Sequence, residues 1–424
     1  MRVGIATIAV AGAAAGCASA PQGHHPAGPT PVITRGVAAV EPAADPRPLA
    51  AADTAFGLDV LRTWCAQYPQ QNLVFSPSTL ASALGMAYLG ARGTTAHDMA
   101  QVLHLPTVST DQLAAELQAR STALGHLGGP GVTLAASNQV WADPTLPPLR
   151  GYLNSVATGY GAGLAQAPFA TDPQRAADEI NAAIADATRG HIPKLVTPGM
   201  VANMGWVLTS ALYMNAAWAT PFDPHETSPD SFTLTSGQQV MAPFMSGNGF
   251  RFAAADGWQA VSLPYKSGKL AMTALLPPSG SGTCALPTQT ALRTIAAGLL
   301  RPADRTNSAI VMMPKVNLST GGSVGDMKPV LLRLGMGLAF SDTADFTGLS
   351  RQACCIGFVQ QAATLQVGEK GTVASAAVAV GIMPASAEAA PHTVVFDRPY
   401  LMLITDSATG EPLFLAKVAN PKAS

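Results

Sequence analysis

The sequence predicts an α+β fold, with one large globular domain over residues 53–424. Helical patterns cluster early in that domain, and short strand-like runs cluster late. This segregation favours an α+β arrangement over alternating βαβ units, and no fixed-period repeat is present. The 424 residues are enough to bury one large core, which agrees with a single domain.

Each element is predicted from spacing and boundary residues. Residues 54–68 repeat apolar side chains at helical spacing. Ser76 followed by Pro77 has the chemistry of a helix start, and an apolar helical face follows over 80–89. Further helices are predicted over 95–103, 110–124 and 173–189. Apolar, β-branched runs predict strands over 72–74, 133–141, 206–214, 259–263, 271–276, 309–313, 364–367, 394–396, 401–404 and 413–418.

The N-terminus, residues 1–17, is predicted to be an export signal, because Arg2 precedes an apolar stretch of signal-peptide length. The sequence is compatible with three ways of processing this segment. Cys17 closes a lipobox-like AAGC sequence, Ala20 closes an ordinary secretory cleavage site followed by Pro21, or the segment is uncleaved. A lipidated Cys17 would tether the protein to a cell envelope, firmly only with two or more lipid chains. The protein is therefore predicted to be exported, either secreted or envelope-bound.

Residues 18–52 are predicted to be a linker, because they are rich in proline and alanine and offer few large apolar side chains to bury. His24 and His25 lie in this stretch. No cysteine or carboxylate cluster accompanies them at ligand spacing, so we interpret them as solvated side chains rather than metal ligands.

Composition excludes several function classes. The net charge of −1 does not favour nucleic acid, and no apolar run reaches the ~20 residues of a membrane span. No Walker, dinucleotide or zinc motif is present, which predicts no cofactor and no metal. Four cysteines lie in the domain, and we predict mostly buried structural thiols with at most one disulfide among Cys65, Cys284, Cys354 and Cys355.

Residues 372–383 form the most unusual segment, since they carry no charge and no proline and are small or β-branched. Charged or proline-containing stretches flank them on both sides. A surface loop is normally polar, whereas this composition fits a strand buried on both faces. We interpret the segment as one that adopts two states, an exposed loop and a sheet strand.

Short motifs, each weak alone, occur along the domain in a fixed order. They include NLVFSP at 72–77, GARGTT at 90–95, IN at 180–181, TRGHI at 188–192, the Trp218, PF and Thr227 block, LPY at 263–265, LGM at 334–336, ADF at 344–346, FDRPY at 396–400 and LFL at 413–415. In this order they resemble the serpin family of serine protease inhibitors over residues 54–421. With the export signal, they indicate an exported bacterial member.

The resemblance implies a serpin-like fold with a large mixed or antiparallel central sheet, a second sheet, N-terminal helices and an exposed reactive-centre loop over about 369–393. It implies a suicide-substrate inhibitor rather than an enzyme. A serine protease cleaves the loop, which then inserts as a strand into the central sheet with the acylated protease attached. It also implies a monomer whose partner is a serine protease.

The hinge that the resemblance assigns comprises Glu369, Gly371, Thr372, Ala374 and Ala376. Glycine changes backbone conformation at little cost, and a small β-branched threonine fits between strands. No proline occurs between Gly371 and Pro384, so every inserted residue can donate a main-chain hydrogen bond. This uncharged hinge favours inhibition over the alternative of a non-inhibitory binding or chaperone-like protein.

Counting from the hinge assigns the reactive bond to Ala385–Ser386. A small residue before the cut suits the shallow pocket of an elastase-like or subtilisin-like protease. Counting back from Pro399 assigns Ala387–Glu388, or the bond after Glu388, because this side of the loop is longer than usual for the family. No lysine or arginine lies between the hinge glycine and Asp397, which argues against a trypsin-like target.

A polar network is assigned to the place where strands part, at Ser76, Thr79, Ser210 and Gln361, with Trp218 beneath the top of the sheet. The family commonly has Ser, Ser, Asn and His at the four network positions. Because a half-satisfied buried network destabilises a protein, the different side chains here predict a rewired network or weaker control of insertion.

An enzyme is the remote alternative, because residues 321–325 match the GxSxG pattern of hydrolases around Ser323. Against it, the match lies in a Ser/Thr/Gly stretch without βαβ units. The candidate base His392 is predicted to lie in a mobile loop, where a base is poorly positioned.

Overall fold

A computed structural model of the chain describes residues 31–302, 304, 306–320, 325–372 and 391–422. The helices are α1 (Arg47–Gln67), α2 (Pro77–Gly90), α3 (Gly93–Val102), α4 (Thr110–Gly125), α5 (Arg150–Tyr160), α6 (Pro173–Ala187), α7 (Pro198–Val201), α8 (Gln289–Leu299) and α9 (Lys328–Leu334). Within the described ranges, none of these helices has the length and apolar character needed to cross a membrane.

The strands lie in two sheets, which confirms the predicted α+β fold. They are β1 (Val32–Thr34), β2 (Leu73–Phe75), β3 (Val132–Ala142), β4 (Leu164–Gln166), β5 (Trp206–Ala217), β6 (Ser228–Thr233), β7 (Gln239–Ala255), β8 (Trp258–Pro264), β9 (Leu270–Leu276), β10 (Ser308–Pro314), β11 (Val316–Thr320), β12 (Val359–Gly368), β13 (Gly371–Thr372), β14 (His392–Val395), β15 (Tyr400–Asp406) and β16 (Pro412–Val418). The main sheet has the order β1-β4-β3-β5-β13-β12-β11. The second sheet has the order β14-β10-β7-β8-β9-β15-β16-β2, with β6 paired to β7.

Helix α2 lies in the core and contacts both sheets through β3, β5 and β16. Ser76 caps its first turn, since the Ser76 side chain accepts a hydrogen bond from the main-chain N–H of Thr79 at 3.2 Å. Twelve of its fourteen residues are buried. A helix that is apolar nearly all round belongs inside a large protein, and here it supports the middle of the main sheet.

The predicted linker over 18–52 needs correction in its described part. Strand β1 pairs antiparallel with β4 and forms an edge of the main sheet. Helix α1 begins at Arg47, and Leu49 and Ala50 are buried. Three residues of strand need no large side chains, because the main-chain groups of β4 supply their hydrogen bonds.

The cysteines give one disulfide among the described residues, between Cys65 of α1 and Cys284 before α8. This agrees with the prediction of at most one bridge. Cys354 is exposed and Cys355 half-buried, so the prediction of buried thiols is wrong for this pair. The two thiols lie in the segment between α9 and β12.

Candidate functional site

The candidate site is the boundary between β5 and β12 in the main sheet, which we call the seam. At its closed end the two strands pair directly and in parallel over five residue pairs, from Leu208↔Val359 to Leu212↔Ala363. At its open end the two-residue strand β13 lies between them and pairs antiparallel with both. Neighbouring strands are thus already separated at one end by the start of the predicted reactive loop.

Main-chain hydrogen bonds hold the turn between β12 and β13. The main-chain N–H of Trp218 donates to the Lys370 carbonyl at 3.0 Å, and that of Phe222 donates to the Glu369 carbonyl at 2.9 Å. The Trp218 indole Nε1 donates to the Gly368 carbonyl at 2.9 Å. Trp218 therefore lies at the open end of the seam and directly orients the hinge.

Thr372 is the last described residue of the hinge and is completely buried. The hydroxyl oxygens of Thr372 and Tyr265 are 2.6 Å apart and share a hydrogen bond. The ring of Tyr265 stacks on Trp218 with their centroids 4.5 Å apart, and burial raises the pKa of Tyr265 well above its ordinary value. The neutral tyrosine is therefore a fixed partner for the first inserted side chain.

Gly371 requires the absence of a side chain. Its φ of +150° lies in the region that favours glycine. A Cβ atom here would lie 2.1 Å from the carbonyl oxygen of Ala216 and 2.8 Å from the Cα of Ala217, both main-chain atoms of β5. Close pairing of the hinge with β5 thus depends on this residue.

The side chain of Glu369 is bound by two residues that lie outside the strands of the main sheet. Its carboxylate accepts hydrogen bonds from the Lys315 ammonium at 3.0 Å and from the Thr227 hydroxyl at 3.1 Å. Partial burial acts to raise the pKa of Glu369, but hydrogen bonds from its own main-chain N–H and from Lys315, with the Lys315 charge, keep that pKa below its ordinary value. The carboxylate is therefore charged at neutral pH and fixes the turn before β13.

The polar network lies at the closed end of the seam, and the structure brings Ser76, Thr79, Ser210 and Gln361 together. The Ser210 hydroxyl donates to Thr79 Oγ1 at 2.8 Å. The Gln361 side-chain amide donates to the Ser76 carbonyl at 3.0 Å, and its nitrogen lies 3.4 Å from Thr79 Oγ1. All four residues are buried, and the Gln361 Oε1 accepts no hydrogen bond from the described residues. The network therefore joins α2, β5 and β12, and the Gln361 Oε1 is the acceptor that it leaves without a hydrogen bond among the described residues.

Several predicted site residues lie outside the described residues: Cys17, Ser323, Ala374, Ala376, Ala385, Ser386, Ala387 and Glu388. His392 is described, and its predicted place in a mobile loop is wrong. It begins β14, which pairs in parallel with β10. Its ring stacks on Phe252, and its Nε2 lies 3.1 Å from the Thr306 carbonyl. These contacts come from β7 and the segment before β10, which local sequence does not reveal.

Sequence reasoning did not assign Lys315, Thr227 or Tyr265 to the hinge site. Thr227 and Tyr265 were noted only as motif residues. Lys315 did carry a signal, because it is the only charged residue between Thr306 and Gly325. An isolated charge between two apolar strand runs indicates a specific partner.

These features define the class of protein: two sheets packed with helices, and a main sheet in which the short strand β13 lies between β5 and β12. The chain belongs to the serpin family: the family model described as "Serpin (serine protease inhibitor)" matches residues 51–421. The description of this family names protease inhibitors and no enzyme activity, and the prediction that the chain is not an enzyme agrees with that.

Relatives and solved structures cover nearly the whole domain. Iris of Ixodes ricinus is 30% identical over 354 residues, which cover 82% of this chain and 92% of Iris. The leukocyte elastase inhibitor of Bos taurus is 28% identical over 383 residues, covering 88% and 99%. The structure of human thyroxine-binding globulin with bound thyroxine has a TM-score of 0.75 at 25% identity, covering 90% of this chain and all of that one.

Proposed function

We propose that this protein is a suicide-substrate inhibitor of serine proteases with a small-residue specificity, elastase-like or subtilisin-like. The observation that carries the proposal is the position of Gly371 and Thr372 between β5 and β12. A loop whose first two residues already pair with both strands continues the insertion in the same register. The relative named leukocyte elastase inhibitor supports the choice of target class.

The proposed reaction begins with attack of the protease serine Oγ on the carbonyl carbon of Ala385. An ester bond forms, the peptide bond to Ser386 breaks, and the Ser386 nitrogen leaves with a proton. The freed loop then inserts towards the closed end of the seam. This parts the five parallel residue pairs of β5 and β12 and gives each strand a new antiparallel neighbour.

Insertion is favourable only if the new ladders stabilise more than ordering the loop costs. Each new hydrogen bond contributes about 1 kcal/mol net, and ordering each residue costs about 1–2 kcal/mol. Burial of the uncharged side chains of residues 372–383 adds to the gain. A charge in this segment would reverse the balance, and the sequence has none.

Export and oligomeric state are part of the proposal and rest on the sequence alone. The protein is proposed to be an exported bacterial serpin, active as a monomer. Lipidation of Cys17 would hold it at a membrane surface. Mass spectrometry of the mature protein distinguishes a lipidated Cys17 from cleavage after Ala20.

The inhibitor proposal is tested by incubating the full chain with elastase, subtilisin and trypsin and separating the products on a denaturing gel. We expect a stable complex near the summed masses with elastase or subtilisin and none with trypsin. Cleavage without a complex would instead support the non-inhibitory binding protein. The mass of the released C-terminal fragment identifies the cut bond.

A matched pair of variants locates the reactive bond by specificity. Ala385→Arg should convert the protein into a trypsin inhibitor, because the residue before the cut enters the specificity pocket. Ala387→Arg adds the same charge two residues later and should leave trypsin unbound. The reverse result would assign the reactive bond to Ala387–Glu388.

A further inference from the structure

Two adjacent thiols outside the seam lie beside a carboxylate. The Sγ atoms of Cys354 and Cys355 are 3.0 Å apart. Together with a carboxylate oxygen of Asp342, their ligand atoms all lie within 4.8 Å of one another. Asp342 and Cys354 are exposed and Cys355 is half-buried, so an ion reaches the cluster from solvent.

The main chain around the cluster is fixed on both sides. Ser341 donates its main-chain N–H to the Leu338 carbonyl at 3.0 Å, which sets the turn that carries Asp342. Ile356 is buried and donates its N–H to the Ala339 carbonyl at 2.9 Å. The second bond joins the two chain segments next to the ligands, so the three side chains are held together before any ion binds.

We propose that Asp342, Cys354 and Cys355 form a binding site for a thiophilic divalent metal ion such as Zn²⁺ or Cd²⁺, with solvent in the fourth position. Two thiolates and one carboxylate are a donor set that suits Zn²⁺. With Zn–S bonds of about 2.3 Å, tetrahedral geometry places two sulfurs ~3.8 Å apart. The two sulfurs, now 3.0 Å apart, need to separate by ~0.8 Å, which rotation of the exposed Cys354 side chain supplies.

Binding is coupled to proton release. One ion displaces the two thiol protons, forms two metal–sulfur bonds and leaves the sulfur oxidation state unchanged.

The site lies next to the closed end of the seam. Gly357, two residues after the second thiol, donates its N–H to the carbonyl of Trp206 at the start of β5. The main-chain N–H of Leu208 in turn donates to the Phe358 carbonyl at 3.2 Å. A bound ion therefore stabilises the segment that leads directly into β12.

The test uses the full chain with Cys17→Ser, so that the pair contributes the only free thiols. A thiol assay in denaturant should count two thiols. Titration with Cd²⁺ should give thiolate-to-metal charge-transfer absorption in the ultraviolet that saturates at one ion per chain, with release of two protons. EDTA should remove the bound Cd²⁺ and abolish the absorption. A Cys354–Cys355 disulfide in the isolated protein, or no absorption at one equivalent, would overturn the proposal.

Variants assign the ligands. Cys355→Ser should weaken Cd²⁺ binding by about tenfold or more and reduce the charge-transfer absorption. Asp342→Asn should weaken binding and keep the absorption per bound ion. Asp345→Asn is the matched control, because its side-chain oxygen can still accept the hydrogen bonds of Thr347. Equal affinity of Asp342→Asn and the control would remove Asp342 from the site.

Discussion

The two ends of the seam are held in different ways. At the open end the contacts come from the hinge itself, through main-chain bonds to Trp218 and Phe222 and the side-chain contacts of Glu369. At the closed end a ladder of five residue pairs and a buried polar network join β5, β12 and α2. In the proposed mechanism, the hinge therefore determines where insertion starts, and the closed end determines how readily the strands part.

A substitution at the hinge should have a larger effect than a substitution at the closed end of the seam. Thr372→Arg replaces a completely buried side chain with an unpaired charge beside Tyr265, which costs several kcal/mol. We expect the ratio of covalent complex to cleaved product to fall about tenfold or more, since ~1.4 kcal/mol is already a factor of ten. Gel densitometry after reaction with elastase or subtilisin measures this ratio.

Thr372→Ser is the control, because it keeps the hydroxyl that pairs with Tyr265. It should inhibit nearly as well as the original chain. If the arginine variant still formed the complex at the original yield, insertion through this hinge would be excluded as the inhibitory step.

The closed end should contribute to the stability of the uncleaved protein. Gln361→Ala removes the amide that joins the Ser76 carbonyl to Thr79 and leaves a buried gap. We expect the free energy of unfolding to fall by about 1–3 kcal/mol, as for other buried hydrogen-bonded groups. Urea denaturation followed by circular dichroism measures the change.

Gln366→Ala tests whether position, rather than loss of glutamine, produces this effect. Gln366 lies on the same strand but is exposed. Its loss should change the free energy of unfolding by less than about 0.5 kcal/mol. Equal effects of the two variants would show that the buried network does not hold the seam.

Strands β5 and β7 show what the sequence predicts and what it does not. The run at 206–214 is apolar apart from Thr209 and Ser210, and its strand is found as Trp206–Ala217. The 17-residue strand β7 was missed because Pro243, Gly247 and Gly249 are turn residues. Pairing stabilises it despite these residues, with its chain neighbours β6 and β8 on the two sides and with β10, which lies more than 50 residues further along the chain.

The candidate site, like the fold, was predicted only in part from the sequence. Local chemistry identified the uncharged segment 372–383, because charge and proline act at their own position, whereas the hinge role of Gly371 came from the family resemblance. The network residues Ser210 and Gln361 came only from the family resemblance. Lys315 was missed because its partner Glu369 is 54 residues away, and composition does not encode such a pairing.

The smallest effect is expected at the turn before the hinge, where the Lys315 and Glu369 side chains are partly exposed, at 41% and 16%. Glu369→Gln should lower the free energy of unfolding by about 1 kcal/mol or less, as for other solvent-screened ion pairs. Lys315→Met should give a similar loss. The double variant should lose little more than either single variant, because both remove the same contact.

The pH dependence gives a second measurement of that contact. The folded-state pKa of Glu369 lies below its ordinary value of 4.5, so the unfolded chain takes up the proton first as pH falls. Its contribution is therefore fully present above pH 4.5 and is lost as pH falls below that value through the folded-state pKa. Urea midpoints should differ between the original chain and Glu369→Gln at pH 7 and converge in acid. A difference that persists at low pH would mean that packing, rather than charge, holds the turn beside the hinge.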